Sequence, residues 1–263
     1  MNIGAEITKI FNYNQKYSEM IVCFIDVMGI RNRFSNSKNP DEFRMYSTIM
    51  NMFADYPNIN HNELSISMFS DCMYIITDKN NLYRLIGFLS NMSHRLLFNN
   101  VPEIIIQYNK DDKVIDHFDC FKIRGGITYG NVLSIDDELR KKKIPFVSNI
   151  LLGPAVVDAY TLESRYANYP RIIVDEKILN LIDEMGEEKQ KYYLKQNKKT
   201  DDFWYIDFLN YMCQGNRDNQ IIFYNLDKCI EFVKKELAEA YNNHNENLTK
   251  KLQWYIEYLE EYL

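Results

Sequence analysis

No CxxC pair occurs in this chain, and its five cysteines (Cys23, Cys72, Cys120, Cys213, Cys229) stand singly and in odd number. Such spacing suggests neither a zinc site nor a disulfide framework, and it fits a reducing compartment. No apolar run approaches the roughly 18 to 20 residues of a membrane span. The N-terminal MNIGAEITKIFNYNQKY scatters its apolar residues among polar ones, so a soluble cytoplasmic protein without a membrane partner is expected. Basic residues form no long stripe: 31 Lys and Arg stand against 37 Asp and Glu, a net charge of −6, which disfavours duplex nucleic acid as a partner. Internal repeats and low-complexity tracts are absent as well. What is plentiful is apolar side chain: 263 residues with 46% hydrophobic and 26% charged residues suffice for one globular domain and an appendage.

The element pattern follows from hydrophobic spacing. MIVCFID (20–26) is a near-continuous apolar run ending in an acid, as in a strand buried on both faces. PDEFRMYSTIMNMFADY (40–56) carries Phe43, Tyr46, Ile49, Met50 and Phe53 at helical spacing behind a Pro-Asp start signal. LSISMFS (64–70) and CMYIIT (72–77) are two β-rich runs with almost nothing between them, hence a hairpin with Asp71 at its tip. Residues 80–98 form a second amphipathic helix through Leu82, Leu85, Ile86, Leu89, Met92, Leu96 and Leu97. FKIRGGITYGNVLSI (121–135) reads as a glycine-punctuated strand that a ligand or another backbone approaches closely; residues 99–119 before it read as a loop or added hairpin. LLGPAVVDAYTLES (151–164) is helical after its Gly-Pro, and RIIVD (171–175) is again a strand. This βαββαβ order predicts an α+β fold, a ferredoxin-like palm with helices on one face of an antiparallel sheet. FWYIDFL and QIIFYNL read as strands or edges that close the catalytic domain, 1–225 with its core at 20–175. Residues 226–263 read as a C-terminal helical segment, a hairpin or bent helix broken at NNHNEN, whose stripes (Ile230, Val233, Leu237, Tyr241; Leu248, Leu252, Tyr255, Leu259, Leu263) pack on the same chain or form a dimer contact.

Two aspartates stand at strand ends, Asp26 and Asp71. Either alone is equally a turn former or helix cap; together, on neighbouring strands facing a cleft, they suit a pair of magnesium ions, which take few carboxylates and many phosphate oxygens. Such a pair stabilises the attacking and leaving oxygens when a nucleotide hydroxyl attacks a phosphorus. Arg124, beside two glycines, can reach phosphate bidentately or can form an ion pair. Arg31 and Arg33 are secondary candidates near the same turn.

FIDVMGIRNRF, SMFSDCMYIIT, RGGITYG and GPAVVDAYTLES together resemble, in order over residues 20–175, the motifs of the class III nucleotidyl cyclases. The resemblance implies that Asp26 and Asp71 bind two Mg²⁺ or Mn²⁺ ions with help from a backbone carbonyl near Val27. It implies that Arg124 contacts the polyphosphate and that the amides of Val27, Met28, Gly29 and Ile30 cradle phosphate oxygens. A head-to-tail homodimer is implied too, with Tyr160, Glu163 and Arg171 as candidates to face the opposite subunit's nucleotide or, alternatively, to serve packing and ion pairing.

Departures from the family pattern point away from purines. The base-reading positions are Ser67 and Ile150, which cannot reproduce the adenine readout and offer guanine no acidic acceptor. The Asn and Arg that orient ribose and meet transition-state charge correspond to Val157 and Thr161, so other groups must meet that charge. The FSD hairpin, the RGGI strand, the AYTLES helix, YPRI (169–172) and DDFWYIDFL (201–209) resemble the pyrimidine cyclases of bacterial Pycsar anti-phage defence. That resemblance implies conversion of UTP or CTP into a cyclic mononucleotide that signals to an effector encoded nearby. Two other readings are weighed: a palm enzyme making cyclic oligonucleotides, against which the lack of a GGDEF or GGDD hairpin counts, and a nucleotide-binding module without turnover.

Overall fold

The computed structural model describes residues 17–29, 64–98, 121–134, 151–197, 201–215 and 219–263. Its centre is strand β1 (Ser18–Val27), paired antiparallel on one side with β3 (Cys72–Thr77) and on the other with β4 (Ile123–Ser134). A strand with neighbours on both edges and layers on both faces admits no polar residue along its middle, and Ile21, Val22, Cys23, Phe24 and Ile25 are all buried. Strand β2 (Leu64–Phe69) pairs antiparallel with β3 through a two-residue turn, in which Ser70 has φ 54°. The order β2-β3-β1-β4 is the ferredoxin-like one expected from the motif order. It is extended beyond β4 by β6 (Ile172–Val174), β8 (Trp204–Ile206) and β7 (Leu194–Gln196), while the short β5 (Leu151–Leu152) pairs off the path with β4. Only the β4–β6 pairing is parallel among the described strands.

Alternation along β1 divides the interior. Ile21, Cys23, Ile25 and Val27 enter the large core, and Val22 and Phe24 enter a smaller cluster on the opposite face. The large core receives helix α1 (Leu82–Phe98), every apolar residue of whose expected face is buried. Its entry is fixed by Asp78, whose carboxylate accepts from the Asn80 amide at 2.9 Å. The smaller cluster is covered by helix α2 (Pro154–Thr161), which begins with Pro at its first turn and continues into a π-type turn, Leu162–Tyr166. A Cβ on Gly126 would lie 2.4 Å from Leu162 Cβ and 2.8 Å from Ala159 O, so the glycine lets α2 and its π-type turn press onto β4.

Helices α3 (Glu176–Glu184), α4 (Phe208–Gly215), α5 (Asn219–Asn242) and α6 (Glu246–Glu260) complete the described elements. The QIIFYNL stretch, expected as a strand, lies inside the helix α5. A short run of β-branched and aromatic residues is ambiguous in periodicity, and here its continuation through Leu226, Cys229, Ile230 and Val233, all buried at helical spacing, settles it as helix. The hairpin at NNHNEN is present. His244 takes φ 53° and Asn245 caps α6 by accepting from the Leu248 amide at 3.1 Å. Residues of α5 and α6 belong to the same core as the sheet, and buried Lys122, two residues before Arg124, pairs with Glu236 of α5. The tail therefore packs on its own chain, more completely than two stripes suggested, since Trp254, Ile256 and Tyr258 are buried as well. The helix expected at 40–56 and the segment 99–119 lie outside the described residues. Among the described residues no helix is long and apolar enough to cross a membrane.

Candidate active site

The register of β1 sets the site. Asp26 is the cross-strand partner of both Cys72 on β3 and Arg124 on β4, and the hairpin turn places Asp71 immediately before Cys72. The Val27 amide donates to the Asp71 carbonyl at 3.0 Å, tying the tip of the hairpin to the end of β1. As a result one ligand atom each from Asp26, Asp71 and Cys72 lies within 4.8 Å of the others, with all three residues half-buried. The Cys72 thiol donates to Asp26 Oδ1 at 3.4 Å and to Asp71 Oδ1 at 3.8 Å. Burial first, and then the charges of Asp26, Asp71 and Glu163, push this thiol above its ordinary pKa; the carboxylate oxygens beside it are the harder donors and the better match for a hard cation.

Arg124 stands between two acids. Its Nε donates to Asp26 Oδ2 at 3.1 Å and lies 2.7 Å from Glu163 Oε1. The second contact is an ion pair without hydrogen-bond alignment, because Glu163 Oε1 has no hydrogen-bond partner among the described residues. Glu163 sits in the π-type turn with its side chain only 3% exposed, against 27% for Arg124. Burial raises its pKa to about 7 and the nearby Asp26 charge adds to this, while Arg124 and Lys251 oppose the rise. Lys251, on α6, feels Arg124, Asp26 and Glu163 in turn, with burial the largest influence lowering its pKa. Glu163 and Lys251 thus join the expected residues electrostatically. Glu163 was in view only as a partner-facing candidate; nothing in the sequence tied Lys251, more than a hundred residues downstream, to Arg124.

The remaining expected positions separate. The amides of Val27 and Met28 already donate, to the carbonyls of Asp71 and Lys122, so they are not open to phosphate in this arrangement; of the proposed cradle, Gly29 turns the chain with φ 85° and Ile30 lies outside the described residues. Ser67 is half-buried on β2 opposite Tyr74. Ile150, Arg31 and Arg33 lie outside the described residues. Val157 is exposed, and the Thr161 hydroxyl donates to its carbonyl at 2.7 Å, so neither brings charge to the site. Of the partner-facing candidates, Tyr160 is exposed and packs edge-on against Phe24 at 5.4 Å. Glu163 and Arg171 are buried and paired within their own chain, with Arg124 and Asp201 respectively; they do not project outward.

No family model matches the sequence, and no curated protein matches it. Solved structures do. A bacterial light-regulated adenylyl cyclase superposes with a TM-score of 0.50 at 14% identity, covering 78% of this chain and 58% of that one. The fold is that of the nucleotidyl cyclase palm. Other palm structures resemble it less in overall superposition: the adenylyl cyclase CyaB from P. aeruginosa, with TM-score 0.44, 16% identity and coverage of 64% of this chain and 82% of that one, and the dimeric guanylyl cyclase domain of the RhoGC fusion protein from Blastocladiella emersonii, with 0.43, 17%, 72% and 94%. In this palm Asp26 and Asp71 sit at neighbouring strand ends on the central β1–β3 pair.

Proposed function

We propose that the protein is a pyrimidine nucleotide cyclase that converts UTP or CTP into its 3′,5′-cyclic monophosphate and pyrophosphate, as a second messenger of anti-phage defence. The observation that carries the cyclase reading is the convergence of Asp26 and Asp71, with Arg124 bonded to the former, at one end of a palm sheet. Oxygen donors on two strands fit Mg²⁺ or Mn²⁺, which Asp26, Asp71 and the Val27 carbonyl would hold. When bound, such ions polarise the 3′-oxygen and neutralise charge on the departing pyrophosphate.

The chain's own residues supply the rest. Arg124 bears a charge that cannot be titrated away, and turning from Asp26 to the triphosphate would give it a bidentate partner. Glu163 remains behind it as a buried anchor for the guanidinium. Of the four amides, that of Gly29 is the one left for phosphate among the described residues. Lys251 is the additional cation that compensates for the uncharged Val157 and Thr161. The pyrimidine preference rests on Ser67 and Ile150, which lack the groups that read purines.

A head-to-tail homodimer completes the reading. Phe69 and Tyr160 are exposed and both pack on buried Phe24 on the sheet face beside the hairpin, and exposed rings clustered in this way suit a partner surface. Tyr160→Glu should shift the protein to monomer in light scattering and reduce turnover with it. The base preference is tested by incubating purified protein with Mn²⁺ and each of the four nucleoside triphosphates and identifying products by mass spectrometry. A cyclic pyrimidine mononucleotide is expected. Product from ATP or GTP alone would refute the base argument, an oligonucleotide would indicate the synthase reading, and saturable binding without turnover would indicate a silent module.

A further inference from the structure

Arg124 is within reach of two carboxylates, but its Nε carries a single hydrogen and cannot serve both. That hydrogen is directed at Asp26 Oδ2, with Nε 3.1 Å away. Glu163 Oε1 is nearer, at 2.7 Å, yet has no hydrogen-bond partner among the described residues. The other oxygen of Asp26, Oδ1, accepts from the Cys72 thiol at 3.4 Å. Both oxygens of Asp26 are therefore engaged, and a divalent cation takes this carboxylate only by displacing a donor. The two acids also differ in access. Side-chain exposure is 18% for Asp26 and 3% for Glu163, so an ion arriving from solvent meets Asp26 and is kept from Glu163. A buried carboxylate is costly to hold ionised without a paired cation, which gives Glu163 more to gain than Asp26 from sole possession of the guanidinium.

We propose that Arg124 is the counterion that Asp26 gives up when it takes a metal ion, and that Glu163 is the positioning residue that receives it. A guanidinium and a divalent ion on one carboxylate repel each other. To leave, Nε needs only to redirect its hydrogen towards an oxygen already 2.7 Å away. Glu163 is held in place to accept it, because its π-type turn presses onto Gly126, two residues along the strand from Arg124. The exchange uses Nε alone and asks nothing of the Nη groups, which a triphosphate can engage bidentately. Metal loading thus frees Asp26 and keeps the arginine within the site. The proposal rests on the reading of Asp26 as a metal ligand and needs no nucleotide.

Mn²⁺ binding to the nucleotide-free full chain, followed by the electron paramagnetic resonance of the unbound ion, supplies the first test. Arg124→Met removes the competitor and should tighten Mn²⁺ binding about tenfold, the worth of one charge-assisted hydrogen bond. Unchanged or weaker binding would overturn the proposal. Glu163→Gln keeps the shape but removes the holder of the displaced cation and should weaken Mn²⁺ binding several-fold; added to Arg124→Met it should change nothing, and an equal loss in both backgrounds would overturn the role given to Glu163. The second test uses the unmodified protein and depends on no variant folding. Crystals grown with Mg²⁺ should show Arg124 Nε beyond hydrogen-bond reach of Asp26 and bonded to Glu163 Oε1. Nε still on Asp26 beside a bound ion would reduce the Arg124→Met effect to charge repulsion and overturn the exchange. A chain that shows the exchange and yet forms no cyclic product would contradict the cyclase reading and support this proposal.

Discussion

Arg124 and Arg171 are neighbours in the sheet, linked through the Gly125 amide, which donates to the Arg171 carbonyl at 3.1 Å, yet they occupy opposite kinds of environment. Arg124 is a quarter exposed, at an open strand end, shared between two acids. Arg171 is enclosed by three aromatic rings and tied to Asp201. The first arrangement leaves a charge able to exchange one partner for another; the second fixes a charge at the cost of desolvation. One arginine is thus suited to chemistry and the other to holding the tail against the sheet.

That contrast breaks most readily with paired substitutions. Arg171→Met should destabilise the protein by about 3 kcal/mol, because it leaves the acid of a largely buried pair without its partner. Arg124→Met should cost less stability than Arg171→Met, because the buried Glu163, left without its cation, can take up a proton, while lowering turnover about a hundredfold or more. Urea unfolding and a turnover assay on both variants report the two effects, and equal effects on stability would erase the distinction.

The next largest effect is expected at Tyr258. Its hydroxyl donates to Asp207 Oδ1 at 2.9 Å and accepts from the Leu209 amide at 3.2 Å, and Tyr262 donates to the other carboxylate oxygen. Tyr258→Phe leaves a buried amide and a carboxylate oxygen short of a partner, a loss of about 1–3 kcal/mol, visible as a lower urea midpoint at unchanged slope.

Much of this contrast was legible before the structure, and the illegible part has a common cause. The strand MIVCFID, the FSD hairpin and the α1 stripe are local patterns, and the strand ends that carry Asp26 and Asp71 lie side by side as the element order implied; the contact of Arg124 with Asp26 was not read from the sequence, where the family resemblance set Arg124 on the polyphosphate. Contacts between distant segments left no local trace. Glu163 meets Arg124 because Gly126 admits the π-type turn; Trp254 meets Arg171 because α6 folds back. QIIFYNL misled because β-branched and aromatic residues mark a strand only when tertiary context agrees.

Glu163 offers a pH test that separates the open region from the buried one. Its pKa is raised from 4.5 to about 7 in the folded chain. The native state therefore holds a proton that the unfolded state has lost between those values, and stability contributed by this group falls as pH rises through that window. Glu163→Gln should flatten the decline in Tm between pH 5 and pH 8; an unchanged slope would show that the carboxyl is already ionised at pH 5. A smaller effect is expected at Ser70, whose positive φ suits glycine: Ser70→Gly should change stability by no more than about 1 kcal/mol in urea unfolding, the relief of the left-handed backbone being set against the loss of the serine side chain's own contact.

The central claim is that Asp26 and Asp71 form one metal-dependent cyclisation site, and mass-spectrometric detection of cyclic mononucleotide tests it most directly. With Mn²⁺ and a pyrimidine triphosphate, the unmodified protein should accumulate the cyclic product, and Asp71→Ala, folded with an unchanged Tm, should form none above background. Equal product from Asp71→Ala and the unmodified protein would contradict the account.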